Sequence, residues 1–331
     1  QNATYRDHYL EIPYDLSDVM FITTANDLGT IPRPLLDRME VIELNSYTDE
    51  EKLRIAKDHL LPKQRKKHGL KASQLKLSDA AIKELIYSYT RESGVRSLER
   101  RLGDLFRRAA RRFVEESTLR SIKVGAENIC EYLGPRKIIP EHISDENEIG
   151  VVNGLAYTES GGDVLKVEVA VLEGSGKLEL TGSLGDVMKE SAKIAVSYIR
   201  AHADELGIPA DFYKTRDIHV HVPEGAVPKD GPSAGITMAL AVLSALTNRP
   251  VRNDVAMTGE ITLRGRVLAV GGVKEKLIAA HRAGIKKVLL PQECEADLDE
   301  IPQKVKDEME FVLVSHMDEV LEHALLRNGE E

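Results

Sequence analysis

Cysteine is nearly absent from this 331-residue chain, which holds only Cys130 and Cys294. Two isolated thiols make no disulfide framework, and neither has the paired spacing of a zinc site. They read as reduced thiols of a cytoplasmic protein. Long apolar runs are missing too. The longest, "AGITMALAVLSAL", falls well short of the roughly 20 residues that cross a bilayer, which argues against a membrane partner. No basic-plus-apolar leader opens the sequence, and it shows no internal repeat or low-complexity tract. It begins at Gln1 rather than at methionine, which reads as a piece of a longer chain. With 42% apolar and 30% charged residues, it suits a soluble protein of two or three domains with real cores.

The net charge of −9 is unevenly spread. Residues 1–50 hold 3 basic against 10 acidic side chains, residues 51–140 hold 22 against 11, and residues 141–331 hold 20 against 33. A basic block between two acidic ones marks separate domains and leaves room for an anionic partner such as DNA. Arg107, Arg108, Arg111 and Arg112 would carry that contact, or form an ordinary solvated helix face.

"DVMFITT" (18–24) reads as a short buried strand, "PRPLLDRM" as a short helix and "EVIEL" as a further strand, the tail of an α/β nucleotide-binding sheet. From 47 to 133 the pattern is helical. Thr48 with Glu51 forms a capping-box signal, Ser78 is a good N-cap, and the segment 94–117 carries Leu98, Leu102, Leu105, Ala109 and Phe113 at helical spacing. Residues 134–149 read as a linker. Beyond them, 150–331 alternate strands and helices. "DVLKVEVAVLEG" reads as a strand with "GKLELTGSLG" as its partner, 186–207 as a helix ended by Gly207, and "DIHVHVPEG" as a strand facing inward with Ile218, Val220 and Val222. His219 and His221 then take an ordinary strand-face role, because an H-x-H pair lacks the third ligand of a zinc site.

Within "AVPKDGPSAGITMAL" (226–240), Ser233 follows a Gly-Pro pair just ahead of an apolar helix. Pro232 suits the first helical position, where no N–H is needed. The N–H groups of Ser233, Ala234 and Gly235 would then lack intrahelical partners and favour negative charge, as an oxyanion hole requires. A serine at this position is a capping residue or a nucleophile. A nucleophile needs a base, and a lysine serves if burial lowers its pKa. "GGVKEKLIAAHRAG" (271–284) places Lys274 and Lys276 beside the apolar stripe of Val273, Leu277 and Ala280. Periodicity does not choose between them, nor does it exclude two solvated surface lysines.

"PKDGPSAG", "MTGEITLRGRVLAVGGVKEK" and the region joining them resemble the proteolytic domain of the bacterial ATP-dependent Lon proteases over residues 150–325. The resemblance implies a Ser–Lys dyad of Ser233 and Lys276, with Thr258 supporting the lysine, backbone N–H groups of Ser233 and Ala234 at the oxyanion, and Asp230 in a loop that rearranges between closed and open sites. "DVMFITTAN" and "PRPLLDRMEVIEL" resemble the end of the Lon AAA+ ATPase module. This implies nucleotide-sensing roles for Asn26 and Arg38 and, in "GVRSLER", for Arg96.

The implied architecture is multidomain α/β and α+β. It comprises an AAA+ α/β remnant (1–46), an all-α lid (47–133), a linker (134–149) and a mixed α/β protease domain (150–331). The implied activity is endopeptidase action on unfolded, damaged or short-lived proteins inside a homohexameric ring. Peptide hydrolysis itself needs no cofactor, whereas ATP and Mg serve the full-length enzyme. No G-x-x-x-x-G-K-[ST] occurs here, so these residues are not expected to hydrolyse ATP. Two other readings are a phosphate-binding enzyme of related fold, disfavoured by a turn with one serine and two glycines, and an inert scaffold beside a DNA-binding lid, disfavoured by the presence of both Ser233 and Lys276.

Overall fold

This computed structural model describes residues 3–25, 28–42, 46–138, 143–158, 161–223 and 228–327. Its internal contacts divide the chain into two units, Gln1–Asn45 and Ser46–Glu331.

The first unit holds a two-residue antiparallel pair, Tyr5–Arg6 with Pro13–Tyr14, and a helical turn at Arg33–Leu36. The strand expected at 18–24 does not form: Met20 and Ile22 are 84% and 82% exposed. A strand needs a neighbour to complete its hydrogen-bond ladder, and among the described residues of this unit none lies alongside. The strand expected from "EVIEL" falls partly on residues 43–45, outside the described residues, and 40–42 form no strand.

The second unit begins with helices. Thr48 caps α1 (Asp49–Ile55) with both bonds of a capping box, Glu51 N–H to Thr48 Oγ1 and Thr48 N–H to Glu51 Oε2. After α2 (Leu61–His68) and the short strand β1 (Leu75–Leu77), Ser78 caps α3 (Asp79–Tyr89). In α4 (Arg96–Glu115), Leu98, Leu102, Leu105, Phe106 and Ala109 fall on one buried face. The carboxylate of Glu92 accepts the N–H groups of Ser97 and Leu98 at its start. Strand β2 (Ile122–Val124) pairs with β1 and, with α5 (Ile129–Leu133), closes a separate small core.

The remainder is built on one seven-stranded sheet. Its strands are β3 (Val151–Thr158), β4 (Gly161–Glu173), β5 (Leu178–Thr181), β6 (Arg216–His221), β7 (Val255–Met257), β10 (Lys287–Pro291) and β11 (Glu310–Val314), in the order β11-β10-β7-β3-β4-β6-β5. A small hairpin, β8 (Glu260–Ile261) and β9 (Val267–Leu268), lies outside it. β11, β10, β7 and β3 run parallel; β4 is antiparallel to β3 and to β6. β5 was expected beside β4, but β6 lies between them and pairs with β5 in parallel. Nearness in sequence favoured the wrong partner here, since the helix between β5 and β6 allows a parallel crossover.

Helices cover both faces. On one lie α6 (Asp186–Ala201), α7 (Gly235–Thr247) and α10 (Met317–Ala324); on the other, α8 (Val273–Ala283) and α9 (Gln303–Glu308). Helix α6 stops at Ala201, short of Gly207, and the chain reaches that glycine through turns. The two-residue period of the strands assigns each side chain to a layer. Val255 and Met257 enter the first core while Ala256 enters the second, and Leu289 is flanked the same way by Val288 and Leu290. A central parallel strand buried on both faces needs the near-continuous apolar run seen in "VAM" and "VLL".

Candidate active site

The carboxyl ends of β3, β7 and β10 share one edge of the sheet, where open α/β sheets usually place their sites. Residue Thr258 directly follows β7 there. On one face a tight helical turn, Pro232–Ala234, leads Ser233 into α7; on the other, α8 carries Lys276. The helix that follows Ser233 and the helix that carries Lys276 thus flank the sheet from opposite sides, and the segment after β7 touches both.

Those contacts are specific. Lys276 Nζ donates to Thr258 Oγ1 at 3.1 Å, and Thr258 Oγ1 donates to the Ser233 carbonyl at 3.3 Å. Gly259 N–H binds the same carbonyl at 2.9 Å, and Ile236 N–H binds the Gly259 carbonyl at 3.2 Å. Thr258 is fully buried, and its own N–H is fixed to the Leu289 carbonyl of β10. A hydroxyl has one hydrogen to give, and Thr258 gives it to Ser233, so it accepts from Lys276. An amine held this way keeps its lone pair for another proton.

Burial separates the two lysines that periodicity left equal. Lys276 is 2% exposed, whereas Lys274 is only partly covered. Loss of water around the ammonium pushes the Lys276 pKa from 10.5 down to about 8, against a smaller upward pull from Cys294 and Glu275. Cys294, noted in the sequence only as a reduced thiol, is buried beside the lysine with Sγ directed at the Val270 carbonyl, and burial pushes its own thiol upward. No local pattern marks that neighbour: it arrives on the turn after β10, a non-local placement.

Helix α8 starts at Gly272, whose φ of 68° suits glycine and whose carbonyl accepts the Lys276 N–H. Ahead of Ser233, Gly231 has φ 130°. Of the three first-turn amides suggested by the sequence, that of Gly235 is taken by the Pro232 carbonyl because the turn is tighter than an α-helix. Ser233 is half-buried.

Asp230 is bound to the start of α6. Its Oδ1 accepts the N–H of Met188, in the first turn of α6, at 3.0 Å, and of Gly231 at 2.9 Å. It thereby caps a helix whose own N-cap residue, Gly185, has no side chain, and a Cβ on Gly185 would overlap the Asp230 carboxylate. The backbone agrees: Gly185 N–H binds the Lys229 carbonyl and Lys229 N–H the Ser183 carbonyl. Asp230→Ala should cost about 1 kcal/mol of stability in a denaturant melt, whereas Asp230→Asn, which keeps the acceptor, should cost a few tenths at most. Equal losses in both would show that charge rather than capping holds the loop.

Asn26 lies outside the described residues; Arg38 is exposed in the first unit, and Arg96 is exposed at the start of α4. His219 Nε2 and His221 Nδ1 both meet Thr181 Oγ1, at 2.9 and 2.7 Å, on the open face of β6. No cluster of three or more metal-ligating side chains occurs among the described residues. On α4, Arg107 pairs with Asp104, Arg111 with Glu115 at 2.7 Å and Arg112 with Glu116 at 3.4 Å, the pattern of a solvated helix face. No helix among the described residues is long and apolar enough to cross a membrane.

Comparison with known proteins agrees with this arrangement. The family model for the Lon protease (S16) C-terminal proteolytic domain matches residues 123–327, and that for the Lon protease AAA+ ATPase lid domain matches 66–122. The Lon protease of Clostridioides difficile is 63% identical over 331 residues, all of this chain and 42% of that protein. Lon protease 1 of Bacillus subtilis is 57% identical over 326 residues, 98% of this chain and 42% of that protein. The Lon protease of Dictyoglomus thermophilum is 54% identical over 326 residues, 98% of this chain and 41% of that protein. The chain spans about two fifths of the length of the curated relatives it matches. With a buried lysine and a serine turn joined through one threonine inside a matching proteolytic domain, the chain belongs to the Lon protease family.

Proposed function

We propose that this chain is the peptide-cleaving part of an ATP-dependent serine endopeptidase acting through a Ser–Lys dyad. The observation that carries the reading is the buried Lys276 ammonium, tied through Thr258 to the backbone of Ser233. Ser233 Oγ attacks the peptide carbonyl carbon as Lys276 Nζ takes its proton, forming the C–O bond. The carbonyl oxygen becomes an oxyanion, which N–H groups of Ser233 and Ala234 stabilise. Collapse breaks the C–N bond, and Lys276 hands its proton to the leaving amine. Water then attacks the acyl carbon, losing a proton to Lys276, and collapse breaks the C–Oγ bond as Lys276 returns that proton to Ser233 Oγ, releasing the acid product. Thr258 holds the lysine, and Asp230 holds the loop before the serine. No metal or cofactor enters these steps.

The substrates of this reading are unfolded or damaged polypeptides, admitted to a chamber that a homohexameric ring would enclose. ATP and Mg would power their delivery in the longer protein. No phosphate-loop motif occurs in this sequence. No ATP step is therefore assigned to it. DNA contact through α4 gains no support from its paired arginines.

A fluorophosphonate probe, which labels activated serines, tests the nucleophile. Mass spectrometry should find one adduct per chain, on Ser233, forming faster as pH rises from 6 to 9. An adduct on another serine, or none in a chain that cleaves peptide, would refute the assignment.

A further inference from the structure

The first turn of α8, which carries Lys276, is clasped by the tip of the β3–β4 hairpin. Tyr157 and Gly162 stand opposite each other there, at the end of the β3–β4 ladder. The Tyr157 ring packs on Gly272, so closely that a Cβ on that glycine would lie 2.8 Å from the ring. Gly162 abuts the backbone of Glu275, and a Cβ on Gly162 would overlap the Glu275 carbonyl and lie 2.9 Å from the Lys276 nitrogen. Any shift of the hairpin tip is therefore passed to the backbone of the lysine.

The next residue, Asp163, is held from the helical domain: its carboxylate pairs with Arg91, in the loop between α3 and α4. Farther along the same surface, Glu50 of α1 pairs with Lys304 of α9 at 3.2 Å. Arg282, at the far end of α8, faces Lys52 and Tyr87 of the helical domain: burial lowers the Lys52 pKa and raises that of Tyr87, and the Arg282 charge adds a smaller downward pull on both. The helical domain thus meets the supports of α8 at both ends, and the Arg91–Asp163 pair joins it to the end of the β3–β4 ladder that bears on Lys276.

We infer that Arg91 and Asp163 are positioning residues for the peptidase: the helical domain sets the placement of Lys276 by anchoring the hairpin that clasps its helix. The inference rests on the reading of Lys276 as the base. The effect of Arg91 and Asp163 acts through the placement of Lys276 and so falls on kcat rather than on KM. It also gives the helical domain a mechanical route to the peptidase that needs no change in the peptidase core.

The test is peptide cleavage by the whole 331-residue chain with a fluorogenic peptide, with thermal melts alongside. Arg91→Asp and Asp163→Arg should each lower kcat about fivefold, with KM within about twofold, as breaking a partly exposed ion pair permits. The double swap Arg91→Asp with Asp163→Arg should recover most of the loss. Gly162→Ala, which pushes on Glu275 without touching the helical domain, should lower kcat about 100-fold and displace the pH profile of kcat. Single swaps with unchanged kcat, or a double swap with no recovery and wild-type melting, would overturn the inference. Should Gly162→Ala fail to fold, the charge-swap arms decide alone. Ser233→Ala provides the zero: if it cleaves normally, the reading of the active site has failed, whereas an inactive Ser233→Ala beside a fully active Arg91→Asp condemns only the clasp.

Discussion

Replacing Lys276 with methionine should abolish peptide cleavage and make the protein more stable. The first effect follows from the loss of the base, which contributes roughly 100- to 10,000-fold in rate. The second follows from burial. In the unfolded chain the lysine titrates near 10.5, and in the folded protein at about 8. Above 10.5 both states are neutral and burial carries no charge penalty. As pH falls toward 8 the unfolded chain binds a proton that the folded one does not, so folding loses stability, and below 8 the loss is complete. A shift of this size corresponds to about 3 kcal/mol. Methionine fills a similar volume without a charge, so Lys276→Met should gain about 2 kcal/mol at pH 7 and nothing at pH 11, read from denaturant melts at both values. The same titration gives the wild type a cleavage rate that climbs between pH 7 and 9, as the neutral amine replaces the ammonium. A rate that stays flat across that range, or a methionine variant that still cleaves, would remove Lys276 from the mechanism.

Features that depend on a few neighbouring residues were readable in the sequence. The capping box at Thr48, the cap at Ser78 and the inward alternation of Ile218 and Val220 need only local chemistry, and all appear. Features that depend on a partner were not. "DVMFITT" has strand composition, yet a ladder requires a neighbour, and none is present among the described residues of its unit. "GKLEL" was given the nearest strand in sequence, although a later one occupies that place. The lysines show the same limit within the site. Lys274 and Lys276 flank one apolar stripe, and only the elements packed on α8 from elsewhere in the chain decide which is covered. Family resemblance named Lys276. The hairpin clasp and the buried Cys294 carry no local signal at all.

Gly235→Ala should inactivate the protein although helix propensity favours the change. Alanine at the first position of α7 would gain about 0.5–1 kcal/mol from propensity alone. The φ there is −57°, so torsion does not require glycine; space does. A Cβ would lie 2.7 Å from the Ile261 nitrogen and 3.3 Å from the Gly259 carbonyl oxygen. Both are backbone atoms, unable to swing aside as a side chain can. They belong to the segment that receives Ile236 N–H, donates Gly259 N–H to Ser233 and carries Thr258. To admit the methyl group, the serine turn and the threonine segment must move apart, against the three hydrogen bonds that join them. Overpacking at such a site costs about 1–3 kcal/mol, which exceeds the propensity gain, so the net change should be destabilising. The separation also draws Thr258, and with it Lys276, away from Ser233, where misplacement by an ångström lowers rate about 100-fold. Melting and kcat/KM measured on one preparation decide the matter. A more stable, fully active Gly235→Ala would mean that the stitch between the turn and Thr258 does not set the distance from nucleophile to base.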